Sequence, residues 1–185
     1  SRESSAAGGL FDAAAAIILG LGETSFEGQG PMWLEAIAHD PVAFPRLGLR
    51  STAEGRLELD WAPLVDWLLQ APPTTAAGRA DCAGAVHASL ADGIVQVAER
   101  LRDQSGSSIV GLTGGVFQNR RLTETAHAGL SARGFDVLLP VADRVPKPVI
   151  DQFEMIEIDQ QNGHRLRVGN VPPGENVGVL QERST

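Results

Sequence analysis

The stretch from Ile109 to Leu122, Ile-Val-Gly-Leu-Thr-Gly-Gly-Val-Phe-Gln-Asn-Arg-Arg-Leu, limits the possible folds of this chain more than any other. The β-branched pair Ile109-Val110 leads into Gly114-Gly115. A helix-like segment from Phe117 to Leu130 follows, and after Gly134 comes a second apolar run, Val137-Leu138-Leu139. Strand, glycine turn, helix and strand in that order are the unit that builds a parallel sheet. A turn without Cβ atoms lets a bulky group approach the backbone, and the first N–H groups of the next helix then face it. A plain tight turn has the same pattern, so the motif alone leaves both readings open. Asn119, four residues beyond Gly115, adds an amide that donates and accepts at once.

The rest of the chain is read around this unit. Leu10 to Gly22, rich in Ala and Leu, is expected to form a helix stopped by glycine and buried on most sides. Gly8-Gly9 ahead of it reads as a flexible turn. Asp12 falls in the first helical turn, as a charge suited to the helix N-terminus or as a ligand for a ribose hydroxyl. A polar connector, Ser25 to Gly30, enters a short helix from Met32 to Ala38. Leu47 to Arg50 and Leu57 to Trp61 alternate as paired strands, and Leu64 to Leu69 is helical. Between Gly78 and Arg102, Val86, Leu90, Ile94, Val97 and Leu101 recur every three or four residues as one helical stripe. His87 lies beside that stripe, with no second His or Cys at ligand spacing, and reads as a packed histidine rather than a metal ligand. Beyond Pro140 the composition changes. Phe153 to Ile158 and His164 to Val168 are strand-like around Asn162-Gly163, a hairpin cue, and Val171 to Thr185 reads as loop and tail.

Composition narrows the partners. Across 185 residues the net charge is −8, and without a basic cluster a nucleic-acid backbone is not an expected partner. The single cysteine, Cys82, excludes an internal disulfide and a C-x-x-C metal knuckle, and reads as a buried structural thiol. No apolar run approaches the ~20 residues of a membrane span. The run from Ala13 to Leu21 lacks the flanks of a signal peptide. The expected setting is cytoplasmic. The opening Ser1-Arg2-Glu3-Ser4-Ser5, without Met, reads as a chain entered within a domain.

Taken together, Gly8 to Gly22, Ser25-Phe26-Glu27-Gly28-Gln29 with Leu34-Glu35-Ala36, Asp60-Trp61, and above all Leu112 to Arg120 resemble the C-terminal, actin-like part of the hydrogenase-maturation carbamoyltransferases (HypF). The resemblance runs over roughly residues 5 to 142. It implies an α/β actin-like ATPase (ASKHA) lobe, with a mixed sheet and flanking helices, over residues 1–142. Residues 143–185 remain as a divergent, β-rich tail. It further implies a carbamoyltransferase that makes carbamoyl adenylate from carbamoyl phosphate and ATP and passes the carbamoyl group to a cysteine of a HypE-like acceptor protein. Carried onto this chain, Gly8 and Asp12 would line the adenosine side. Gly114 and Gly115 would admit the nucleotide, and Asn119 would bond near the ribose or phosphates.

Two departures limit the carry-over. The family's His-x-x-x-His metal pair has no counterpart among His39, His87, His127 and His164. Its Asn-Asp-Gly-Gly segment is replaced by Val141 to Pro148, where Asp143 is the one acid. A divalent metal, zinc or iron therefore belongs, on this reading, to the complete family enzyme. The isolated chain is expected to need a missing N-terminal half, or self-association, to act. The competing reading is a non-catalytic remnant that binds nucleotide or partner proteins.

Overall fold

The computed structural model describes residues 7–22, 24–26, 28–53 and 55–139, and the backbone of 154–158 and 166–170. They form a mixed α/β unit, mostly helical, with two small sheets. The order is α1 (Ala7–Leu19), α2 (Gln29–Ile37), a hairpin of β1 (Gly48–Ser51) and β2 (Leu57–Asp60), α3 (Ala62–Gln70) and α4 (Ala76–Ser105). Then come β3 (Ile109–Thr113), a 3-10 turn (Gly115–Gln118), α5 (Arg120–Ala132), β4 (Asp136–Leu138), β5 (Glu154–Ile158) and β6 (Leu166–Asn170).

Helix α4 is the axis of the molecule. Thr75 caps it, the side-chain oxygen accepting from the Gly78 N–H at 3.1 Å. Gly106, at φ +77°, ends it by donating to the Arg102 carbonyl. The stripe of Val86, Leu90, Ile94, Val97 and Leu101 is buried as its periodicity requires. Each such side chain contributes on the order of 1.5–3 kcal/mol by leaving water. Burial extends around the helix, because Ala80, Ala83, Gly84, Ser89 and Gly93 give other elements room to approach. The segment from His39 to Leu47 lies along it. The His39 N–H donates to the Ala80 carbonyl (3.0 Å), the Ser89 hydroxyl to that of Pro45 (2.8 Å), and Gln96 Nε2 to that of Leu47 (3.3 Å).

The larger sheet has the order β4-β3-β5-β6. β3 pairs parallel with β4 (Ile109 opposite Asp136) and with β5 (Val110 opposite Glu154), and β6 runs antiparallel to β5. α5 is the crossover between β3 and β4, packed on α4 through Leu122, Ala126 and Leu130. Where that crossover returns, the Arg102 guanidinium lies 4.3 Å above the Phe135 ring. Both C-terminal strand runs are present as strands. The Asn162-Gly163 turn between them lies outside the described residues, as do Asp143 and the tail from Val171.

The structure corrects the reading of the first helix. α1 begins at Ala7, so Gly8 and Gly9 are helical and not a flexible turn. Asp12 accordingly sits in the second helical turn, and the first turn holds no acidic residue. Leu10, Phe11, Ala14, Ala15 and Ile18 are buried while Asp12, Ala13 and Ala16 are exposed, which makes the helix two-faced. Packing of Ala7 (2 % exposed) and Phe11 (1 %) holds the added turn, outweighing the ~1 kcal/mol by which each glycine disfavours a helix.

A methyl group at Gly84 would overlap the His39 carbonyl oxygen, a backbone atom. One at Gly129 would meet the Val95 Cγ2 at 3.0 Å, a side-chain methyl able to shift. Gly84→Ala should therefore cost about 3 kcal/mol or more. Gly129→Ala should stay within about 1 kcal/mol of wild type, its crowding offset by the gain in helix propensity. Urea denaturation of the two variants beside wild type checks the contrast.

Candidate nucleotide cleft

β3 ends at Thr113, and the chain turns through Gly114 at φ +102°, ψ 161°. Only glycine adopts that conformation readily. The next residues do not continue as a helix. They form the 3-10 turn from Gly115 to Gln118, and α5 starts only after Asn119, which has extended dihedrals (φ −68°, ψ 105°) and serves as its N-cap. The single helix expected from Phe117 onward is thus two pieces with Asn119 at the joint.

At that joint the amide of Asn119 is used on both sides. Its Oδ1 accepts from the Leu122 N–H at 2.9 Å, and its Nδ2 donates to His87 Nε2 at 2.9 Å. His87 Nδ1 in turn donates to the Ala83 carbonyl one helical turn back, at 2.7 Å. This chain of bonds fixes the tautomer: Nδ1 carries the proton and Nε2 is the acceptor. His87 is 1 % exposed and lies 5.0 Å from the Phe11 ring. Burial, the largest effect, pushes its pKa below the usual histidine value. The Arg121 charge adds to that, while the Ala83 bond and the Glu35 carboxylate act against it.

The start of α5 is further occupied by Glu35 of α2, whose Oε1 accepts from the Arg121 N–H at 3.2 Å. The Arg121 guanidinium reaches Asp40 at 2.6 Å. Two of the N–H groups that a free helix terminus would offer to an anion are therefore taken by this chain's own side chains. An anion here would have to meet the Gly114-Gly115 side of the turn.

Between α1, α2 and this turn lies a cleft of about 400 Å³. Gly8 and Phe11 line it from α1, Gly28, Pro31, Met32 and Glu35 from α2 and its entry, and Gly115, Val116, Gln118 and Asn119 from the turn. Its wall is mainly apolar, with one carboxylate and two amides. Of the residues singled out from sequence, Gly8, Gly115 and Asn119 meet here. Gly114 shapes the turn without lining the cleft. Asp12 is exposed and packs beside Gly30 of α2, where a Cβ would stand 3.1 Å from its Oδ1. Phe11, Glu35 and Gln118 were not singled out, although each lies within a segment that carried the resemblance. Their convergence depends on how α1 and α2 pack, which spacing along the chain does not encode.

Among the described residues no three His, Cys, Asp or Glu side chains converge as a metal site. Asp143 lies outside them. Cys82 is buried, and its thiol pKa is raised by burial and by the neighbouring Asp81 carboxylate, which keeps it protonated at neutral pH. No helix among the described residues is long and apolar enough to cross a membrane.

Residues 1–147 match the family model described as carbamoyltransferase, Kae1-like domain, second subdomain. Carbamoyltransferase HypF of Rhodobacter capsulatus is 40% identical over 134 residues, covering 71% of this chain and 16% of that protein. A HypF homolog of Cupriavidus necator is 34% identical over 143 residues, covering 75% of this chain and 36% of the relative. The crystal structure of full-length HypF in the phosphate- and nucleotide-bound form superposes with a TM-score of 0.62 at 26% identity, over 72% of this chain and 17% of that one. The chain thus spans between a sixth and about a third of the length of these relatives.

The depressed pKa of His87 gives a pH dependence with a defined sign. As pH falls, the unfolded chain takes up this proton near the ordinary histidine value of 6.5, before the folded chain does. The stabilisation is therefore complete above about 6.5 and is lost as pH falls from there toward the lowered folded value. Urea midpoints should be lower at pH 5.5 than at pH 7.5. Asn119→Asp keeps the cap oxygen but sets a carboxylate against Nε2, so it should raise the pKa of His87, followed by NMR of the ring, and shrink that difference.

Proposed function

This chain belongs to the HypF carbamoyltransferase family through its Kae1-like second subdomain, and we propose that it is the nucleotide-binding portion of such an enzyme, an actin-like ATPase (ASKHA) lobe over residues 1–142 followed by a divergent segment, 143–185. The observation that carries this reading is the meeting of Gly8, Gly115 and Asn119 in one cleft. Support comes also from the solved relative, which was crystallised with phosphate and nucleotide.

On this reading ATP enters with its base and ribose against Phe11, Met32 and Val116, and its phosphates toward the Gly114-Gly115 turn. The glycines let the phosphate oxygens reach backbone N–H groups, which stabilise charge as it develops in the transfer. Water cleaves carbamoyl phosphate to carbamate and inorganic phosphate, a carbamate oxygen attacks the α-phosphate of ATP, the α–β bridge breaks, and pyrophosphate leaves. The carbamoyl adenylate then yields its carbamoyl group to a cysteine thiol of a HypE-like acceptor, with AMP as leaving group, in [NiFe] hydrogenase maturation. On this reading a divalent ion belongs to the complete enzyme. Exposed Met32 (58 %) and Trp33 (44 %) beside the cleft suit a face closed by that remainder, or by a second copy. The proposed setting is the cytoplasm.

A second reading, a nucleotide- or partner-binding module without catalysis, draws on the N–H groups of α5 already bonded to Glu35 and Asn119. The placement of the nucleotide in this cleft is tested by calorimetry with ATP, using Gly8→Leu. Leucine is a far better helix former than glycine, so the fold should hold while the side chain fills the cleft. ATP affinity should fall tenfold or more, with an unchanged or raised melting temperature. Saturable binding that Gly8→Leu leaves untouched would place the nucleotide elsewhere. No binding by the folded wild-type chain would favour the partner-binding module.

A further inference from the structure

His87 is a buried imidazole that the proposed chemistry does not use, yet it touches the cleft at one remove. It stands on α4, the most deeply packed helix, and its Nε2 receives the Nδ2 of Asn119 at 2.9 Å. Asn119 is 8 % exposed, lines the cleft, and holds the first turn of α5 through the Leu122 N–H. The 3-10 turn that forms one wall ends at the same residue, its N–H donating to the Val116 carbonyl at 3.1 Å.

We propose that His87 is a positioning residue for this cleft, its unprotonated Nε2 the acceptor that fixes the Asn119 amide and with it the wall from Gly115 to Asn119. The amide is asymmetric and has two ways to sit. With Nε2 as acceptor, Nδ2 must face α4 and Oδ1 must face Leu122, the orientation that caps α5. A proton on Nε2 turns the acceptor into a donor and sets N–H against N–H. The amide then either flips, taking its oxygen from Leu122, or moves away. The surroundings favour the neutral ring. Arg121 acts from α5, the Glu35 carboxylate from α2 opposes it, and α1 meets the ring with the apolar face of Phe11. On its own helix the ring meets the Ala83 carbonyl, which keeps Nδ1 as the protonated nitrogen.

The test uses the full chain and two variants. In His87→Gln the amide oxygen can take the place of Nε2 as acceptor, without a titration near neutral pH. In His87→Leu the volume is kept and the acceptor is lost. The first readout is the hydrogen-exchange protection factor of the Leu122 amide relative to amides in the middle of α5. It should be retained in His87→Gln and fall at least tenfold in His87→Leu. In wild type it should fall on acidification with the same midpoint as the His87 ring, followed by NMR. Equal protection in wild type and His87→Leu, or full protection after the ring has titrated, overturns the proposal. Should His87→Leu not fold, the wild-type pH series and His87→Gln decide it.

The second readout, ATP affinity, rests on the proposed function. It should fall about tenfold in His87→Leu and stay within threefold in His87→Gln. Absence of ATP binding by wild type with the amide pattern intact would remove the nucleotide reading and leave the clamp standing. The reverse result would remove the clamp alone.

Discussion

One side-chain amide settles the corner on which the cleft depends. Asn119 closes the 3-10 turn, caps α5 and reaches α4, so three elements meet through hydrogen bonds of 2.9 to 3.1 Å. A buried amide costs a few kcal/mol when left unsatisfied and adds about 1 kcal/mol per bond when satisfied. That asymmetry makes the corner unique, because other placements of the turn would orphan a donor or an acceptor. Among the described residues no buried side-chain nitrogen or oxygen lacks a partner. The polar network is complete around an otherwise apolar interior.

What lets so much gather at one place is the thinness of α4. Its mid-section carries Ala80, Ala83, Gly84, Ala85, Ser89, Ala91 and Gly93, all buried. A helix of leucines would hold its neighbours 8–10 Å from its axis. Here the backbone of His39 lies against Gly84, and the Leu59 side chain of the hairpin enters the space at Gly93. With α1, α2 and α5 drawn in to the same helix, the cleft can form between the first two and the turn that precedes the third.

The sequence was informative where local chemistry and periodicity agree. The stripe of α4, the strand–glycine–helix–strand order and the alternating hairpin rest on short-range rules and appear as expected. The positions of Gly8 and Gly9 were not legible, because two glycines disfavour a helix and only the tertiary burial of Ala7 and Phe11 reverses that. Asn119 could be recognised as an amide worth attention, but its partner stands 32 positions away on another helix. His87 was read as a packed histidine, and packed it is, at 1 % exposure. Its hydrogen-bonding role followed only from the geometry. Asp12 stands on the wet face of a helix whose composition reads as buried on most sides.

The placement of β3 between two parallel neighbours bears on the order in which the molecule assembles. Its pairing with β4 is closed by a single compact crossover, α5, and joins residue 109 to residue 136. Its pairing with β5 joins residue 110 to residue 154 and must wait for a longer loop to close. The β3–α5–β4 unit, with its capped joint at Asn119, is then an early template, and the C-terminal strands add to an edge already formed. In a chain made from its N-terminus, α4 and this unit leave the ribosome before β5 does. The cleft wall is thus laid down while the far side of the sheet is still open.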